Sequence, residues 1–415
     1  MPSITNLVTY IFLFASLNFE VFILMIYFQN RENMKEEERL VAEGTNEYPS
    51  VTAIVPCWNE EKTVARTVHS LLELDYPKDK FKIMIVDDGS TDKTWEVIQQ
   101  FKNNPQIELH TKKNGGKYTA LNYGLSKLTT DLVGCLDADS YVHKDTLKKI
   151  VYYFQDKETM AVAPSIKLWE PKSVLQLLQK IEYGFGIFNR KMFQYMNAIY
   201  ITPGPFSIFR KEVFEKLGPY RHAHNTEDIE IALRMQENGM KIVHAHNAFV
   251  YTVPPNTVKK LLVQRIRWSH GFIQNAKDYR YMFFKRKYGN VGMFVLPMAV
   301  ISIMSVLFIS SLSIFSIIRS AVNQYVIFQT VGFNPHWPTW NFDLFYVNTQ
   351  IITLLGLATA VGTITFVVIS KKMSEGKLDL GMDLIYYLSL YMFIAPIWII
   401  KASWNALFKV NTKWR

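Results

Sequence analysis

Two cysteines, Cys57 and Cys135, are all that 415 residues contain. That excludes a disulfide framework and a cysteine-rich zinc site, and both read as small core residues in apolar, strand-like surroundings. Low-complexity tracts and long internal repeats are absent too. Charge is scarce, 20% of residues against 49% hydrophobic, and it is missing altogether from some long stretches. Residues 4–28 carry one charge, Glu20, residues 291–318 and 345–370 carry none, and residues 384–400 form a shorter uncharged run. A helical crossing of a bilayer needs roughly 20 apolar residues, so these are spans or near-spans.

The first of them has no Lys or Arg before it and no small-residue cleavage site after it, which predicts an uncleaved anchor rather than a signal peptide. Arg31, Lys35 and Arg39 follow it, placing the N-terminus outside and the middle of the chain in the cytoplasm. Three C-terminal spans would then leave the basic tail, residues 401–415, outside. A double crossing by residues 291–333, or a re-entrant last segment, would alter that, and the sequence leaves these alternatives open. The net charge of +10 comes from scattered Lys and Arg with no nucleic-acid motif. Anionic lipid headgroups and a diphosphate ligand are the partners it suits, and nucleic acid is not expected.

Between residues 48 and 247, short β-rich runs alternate with helical stretches, the pattern of an α/β fold with a mostly parallel sheet. Residues 51–56, 82–86, 107–111 and 132–136 read as its strands. In such sheets ligands lie beyond the carboxyl ends of the strands. The residues there are polar: Pro56, Asn59 and Glu60 after the first strand, Asp87 and Asp88 after the second, Asp137 and Asp139 after the fourth. Residues 174–192 and 257–274 have helical apolar spacing and are expected to lie along the membrane surface.

Asp137 and Asp139, two apart in extended backbone, would point to one side and suit a hard divalent cation that bridges to phosphates, Mg2+ or Mn2+. The run from Asp87 to Asp92 is a turn into a helix, with acidic groups placed to accept from a ribose or a base N–H. Asn114-Gly115-Gly116-Lys117 is a glycine-rich turn with a cation, suited to a phosphate or a donor sugar. Glu227 and Asp228 open a helix, where acids favour the dipole and where one could also serve as general base. Gln264, Arg267 and Trp268 fall on one helix face, with Arg267 available to a diphosphate and Trp268 to a sugar ring.

This ordered set resembles the membrane-integrated, polymer-making members of glycosyltransferase family 2: the synthases of cellulose, chitin, hyaluronan and poly-N-acetylglucosamine. The motifs that carry the resemblance are Asp88, the Asp137-Ala138-Asp139 triplet, Thr226-Glu227-Asp228, and Gln264 with Arg267 and Trp268. Lys117 followed by Ala120-Leu121-Asn122 is similar to a stretch in the hyaluronan and poly-N-acetylglucosamine synthases, whereas the prolines of Thr202-Pro203-Gly204-Pro205-Phe206 depart from their acceptor motif.

The resemblance implies a GT-A type nucleotide-sugar domain, a UDP-sugar donor, a divalent metal and inversion by single displacement. It makes Asp228 the base with Glu227 beside it, toward the acceptor. Asp139 becomes the principal metal ligand with Asp137, and Pro56, Asn59, Glu60, Asp88, Lys117, Asp137, Gln264 and Arg267 become donor contacts. Trp268 is placed at the acceptor. The expected divisions are an N-terminal transmembrane helix at residues 1–30, a cytoplasmic catalytic domain at 31–255, an interfacial helix at 256–290, and C-terminal transmembrane helices with the basic tail at 291–415. The expected partners are a growing glycan or a lipid acceptor, the bilayer, and accessory membrane subunits.

Overall fold

The computed structural model describes residues 4–45, 47–332, 350–377, 381–408 and 410. One eight-stranded sheet runs in the order β3-β2-β1-β4-β7-β6-β8-β5. The expected strands are there as β1 (Val51–Cys57), β2 (Phe81–Asp87), β3 (Ile107–Thr111) and β4 (Leu132–Cys135), all mutually parallel. Four more extend the sheet beyond β4: β5 (Ser140–Val142), β6 (Thr159–Leu168), β7 (Ile208–Arg210) and β8 (Lys241–Thr252). Here β7 is antiparallel to β4 and β6, and β5 to β8, so half of the sheet is mixed. The chain goes from β1 outward to β3 and then returns to the other side of β1 as β4. That reversal opens the crevice in which open α/β sheets bind ligands.

Alternate residues of β1 feed opposite cores: Ala53, Val55 and Cys57 enter one apolar cluster and Ile54 the other. Helices α2 (Val64–Leu72), α3 (Thr94–Gln99), α4 (Lys117–Ser126) and α5 (Thr146–Tyr152) connect the first strands. α6 (Val174–Tyr195), α7 (Lys211–Leu217) and α8 (Glu227–Glu237) follow, then α9 (Val258–Asp278) leaves the sheet. Ser173 caps α6 with a capping box closed by Gln176, which fixes where that helix begins.

Among the described residues four helices are long and apolar enough to cross a membrane: α1 (Ile4–Glu43), α10 (Leu296–Val331) with the turn at Val291–Val295, α11 (Ile351–Glu375) and α12 (Met382–Leu407). α1 runs past the expected boundary at residue 30, because residues 29–43 contain no Gly or Pro and are rich in Glu, Lys and Arg. It stops at Gly44, which takes a left-handed φ of 84°. Its last turns are bolted to the sheet domain: Glu37 pairs with the wholly buried Lys191 and accepts from Tyr153, and Glu38 pairs with His246. Residues 296–331 form one continuous helix, so a double crossing there is not what the chain does. α12 lies against α6 and α9. At its start Asp383 meets Lys371, and the Tyr387 ring lies tilted against Phe185, 5.5 Å between centroids. Residues 345–349 of the third apolar run, and residues 409 and 411–415 of the tail, lie outside the described residues.

Candidate active site

The loops after β1 and β2 are laced together. The Asn59 N–H donates to the Ser90 hydroxyl at 2.9 Å, Thr91 N–H returns to Asn59 Oδ1 at 2.8 Å, and Glu60 N–H donates to Thr94 Oγ1 at 2.7 Å. The Glu60 carboxylate accepts from Thr63. Asn59 thus braces a neighbouring loop and takes a left-handed φ of 56° to do so. Pro56 is half-buried within β1 itself.

Asp88, expected at a nucleoside, is buried with both carboxylate oxygens engaged. Lys112 pairs with it, Gly115 N–H donates to it at 3.1 Å and Gly116 N–H at 2.8 Å. These glycine N–H groups, expected to face a phosphate, turn inward instead, and Asp88 sets the shape of the loop that ends in Lys117. Gly89 beside it has a φ of +71°, and a Cβ there would stand 2.8 Å from the Asn114 nitrogen. No larger residue fits that close approach.

Lys117 opens α4 and lies buried between two carboxylates, 2.6 Å from Asp137 Oδ1 and 2.8 Å from Glu227 Oε1. Burial lowers its pKa, but Asp137 and Glu227 outweigh burial and hold it well above its ordinary value. Gly204 presses on the same group, since a Cβ there would sit 2.9 Å from Lys117 Nζ. The departing Thr202–Phe206 segment therefore does reach the site, and Thr202 donates both its N–H and its hydroxyl to the Asp228 carbonyl.

β4 ends at Cys135, so Asp137 and Asp139 lie in a turn before β5 and not on extended backbone. The alternation argument for their shared side does not apply; Asp137 is tied to Lys117, and Asp139 accepts from the Ser140 hydroxyl. Among the described residues no group of three or more His, Cys, Asp or Glu is set to hold a metal ion. Two carboxylates still fit a divalent cation that takes its other oxygens from phosphates and water, the way Mg2+ is usually held.

Glu227 and Asp228 form the first turn of α8, after Ala223, His224 and Asn225, which all have left-handed φ values of 44°, 54° and 64°. Three such residues in succession store strain, and α9 contains it: Asn275 Nδ2 donates to Thr226 Oγ1 at 2.9 Å and also to the Ala223 carbonyl. Burial pushes the Asp228 carboxyl up, the adjacent Glu227 charge pushes it further, and together they bring it to about 6. For Glu227 burial also opposes the charge, but Lys117 prevails and holds it below its ordinary value. Two adjacent carboxyls are thereby driven apart, one fixed as an anion and one poised to take a proton.

Arg267 on α9 acts electrostatically on both Glu227 and Asp228. Trp268 carries the Arg265 guanidinium 4.2 Å over its ring, and Tyr183 lies 6.5 Å away. Gln264 Oε1 accepts from Arg265 at 2.6 Å. The buried anchor of α9 is therefore Arg265, paired with Glu182 at 2.8 Å, which sequence reading passed over. Val258, at the start of α9, is exposed. Lys117, Asp137, Glu227, Asp228 and Arg267 thus converge, Trp268 stands on the α6 side of them, and Asn59, Glu60 and Asp88 support the loops.

The family model described as Glycosyl transferase family 2 matches residues 52–218. A poly-beta-1,6-N-acetyl-D-glucosamine synthase of Staphylococcus aureus is 32% identical over 231 residues, covering 55% of this chain and 56% of that protein. The protein of the same name from Staphylococcus epidermidis is 30% identical over 248 residues, covering 59% and 60%. The chain spans little more than half the length of these curated relatives. Among solved structures, the mannosyltransferase PcManGT from Pyrobaculum calidifontis, in complex with GDP-Man and Mn2+, superposes with a TM-score of 0.62 at 19% identity. That match covers 98% of this chain and 99% of the other, and it establishes a shared GT-A fold.

Proposed function

We propose, from the match of residues 52–218 to the Glycosyl transferase family 2 model, that the chain moves N-acetylglucosamine, or a related hexosamine, from UDP to the end of a growing β-linked polysaccharide. The observation that carries the reading is the carboxylate pair at the start of α8, where Lys117 stands 2.8 Å from Glu227 and 2.6 Å from Asp137 while the adjacent Asp228 carboxyl is pushed up by burial and by the Glu227 charge. A base for an acceptor hydroxyl needs a pKa near the working pH, and an ordinary exposed aspartate lies too low. The names of the relatives supply the sugar and the polymer.

In the reaction an acceptor hydroxyl gives its proton to Asp228 as its oxygen attacks the anomeric carbon, and the bond from that carbon to the diphosphate oxygen breaks with inversion. UDP leaves with the electron pair. Asp139 with Asp137 would hold Mg2+ or Mn2+, which neutralises charge on the leaving diphosphate when bound. Arg267 adds a fixed positive charge on the same side, Lys117 keeps Glu227 ionised, and Trp268 offers its face to the acceptor sugar.

In this reading the four apolar helices anchor the enzyme in a membrane as a multi-pass protein, and Arg31, Lys35 and Arg39 after the first of them support a cytoplasmic catalytic domain. Exposed side chains of α10 such as Phe315 and Ile317 face lipid or an accessory membrane subunit. The domain divides from the membrane part after Glu43 and again after α9, whose place at the interface fits its exposed Val258 and Val263.

The test is to incubate membranes containing the protein with a panel of UDP-sugars and size the product. A long polymer from UDP-N-acetylglucosamine supports the reading. A single sugar on a lipid, or no UDP release from any donor, overturns it.

A further inference from the structure

Several enclosed cations are matched by carboxylates: Lys117 by Asp137 and Glu227, Lys191 by Glu37, Arg234 by Glu230, Arg265 by Glu182. Arg190 on α6 has no such match. Its Nε is buried with no hydrogen-bond partner, and among the described residues no carboxylate forms an ion pair with it. The side chain runs back along its own helix, so that a Cβ on Gly186 would stand 3.3 Å from Nη1. Tyr183, Tyr200 and Asp228 are the groups near enough to act on its charge. Burial brings the guanidinium down to about 10, which leaves it charged at neutral pH.

A half-buried guanidinium with a buried, unpartnered Nε is costly, and a ligand that completes it removes that cost. Tyr183, on the same helix, lies 6.5 Å from Trp268, and with Tyr200 it acts on the Arg190 charge, which gives aromatic surroundings suited to a sugar. The guanidinium offers several N–H donors in one plane and accepts none. It therefore favours a sugar bearing a carbonyl and opposes one bearing a positive charge.

We propose that Arg190, with Tyr183 and Tyr200, forms an acceptor subsite that selects a terminal hexosamine by its N-acyl carbonyl and rejects the same sugar with a free ammonium group. The proposal rests on the glycan-extending reading above. It makes Arg190 a specificity determinant in addition to the residues that serve the donor and the proton transfer.

The experiment compares the full-length protein and Arg190→Gln, with UDP-N-acetylglucosamine as donor, on β-linked N-acetylglucosamine oligosaccharides and their de-N-acetylated counterparts. UDP binding by calorimetry checks that the variant is folded. Wild type should favour the acetylated acceptor in KM by roughly tenfold or more at pH 7, the scale of one unfavourable charge contact. The ratio should fall at pH 9, above the pKa of about 8 typical of such an amine, to what the missing carbonyl contact alone leaves. Arg190→Gln should lose most of the discrimination at pH 7 while binding UDP normally. An unchanged ratio in the variant overturns the proposal. So does an equal loss on both acceptors with a shifted pH midpoint, which would make Arg190 an electrostatic neighbour of Asp228 and nothing more. If the variant does not bind UDP, the wild-type ratio decides, and the same value at pH 7 and pH 9 sinks the idea. No transfer to either acceptor by wild type removes the glycan reading itself, and this one with it.

Discussion

Asn275 on α9 donates a hydrogen bond to the hydroxyl of Thr226, 2.9 Å away, so the helix that carries Gln264, Arg267 and Trp268 also holds the residue from which α8 and its acidic pair begin. Donor-side and base-side motifs, some 40 positions apart in sequence, are one mechanical unit.

The contact that leaves least room in this unit is at Gly271, where a Cβ would come within 2.4 Å of Thr226. Gly271→Ala is expected to push Thr226 and the strained loop before it out of place, costing about 1 to 3 kcal/mol as overpacking does. Transfer should fall more than the melting temperature suggests, because Asp228 moves with the loop. Wild-type turnover at an unchanged melting temperature would show that α9 does not position the base.

Asp228→Asn should abolish transfer while UDP binding survives, since the carboxamide keeps the shape but cannot take the proton. The expected loss is on the order of 100-fold to 10,000-fold, the range of a general base. In wild type, kcat/KM should rise with pH through about 6, because Asp228 works only when ionised and its carboxyl is raised to that value. A pH profile flat between 5 and 7 would contradict the assignment.

For Asp139→Ala the outcome to look for is loss of both the Mn2+ response and donor affinity, because the diphosphate would then meet Asp137 and Glu227 with less positive charge between them. Titration of Mn2+ and of UDP by calorimetry reads both. Full activity in excess chelator would rule out the metal role.

Trp268→Ala should leave UDP binding within a few fold of wild type and shorten any residual product, since a lost aromatic platform costs about 1 to 3 kcal/mol. Donor affinity is measured by calorimetry and chain length by gel. Collapse of donor binding with unchanged product length would place Trp268 at the donor, or merely in the packing under Arg265.

The parallel half of the fold was legible because β1 to β4 are short apolar runs whose ends are marked by polar residues. The other half was not, for reasons visible in particular residues. β6 contains Pro164, which argues against a strand, and the sheet tolerates it because the pairing with β8 shifts register between Pro164 and Ser165. β8 carries His244 and His246, polar letters that fold to full or near-full burial, and β5 and β7 are three residues each. At the site, the acidic motifs could be read from position and spacing. Their cationic partners could not, because Lys112 reaches Asp88 across 24 residues and Arg265 reaches Glu182 across 83, and nothing local marks either.

α1 is 40 residues long, about 60 Å of helix, against roughly 30 Å of hydrocarbon. The excess is rigid and is fastened by Glu37 and Glu38 to β8 and α6, so it works as a mast of fixed height. Among the described residues α1 is unbroken from its apolar stretch to these contacts. In the proposed membrane enzyme, bilayer thickness then becomes a variable of catalysis: a thicker or thinner membrane would raise or lower the proposed acceptor cleft relative to the headgroups, and with it the point at which a product meets the lipid.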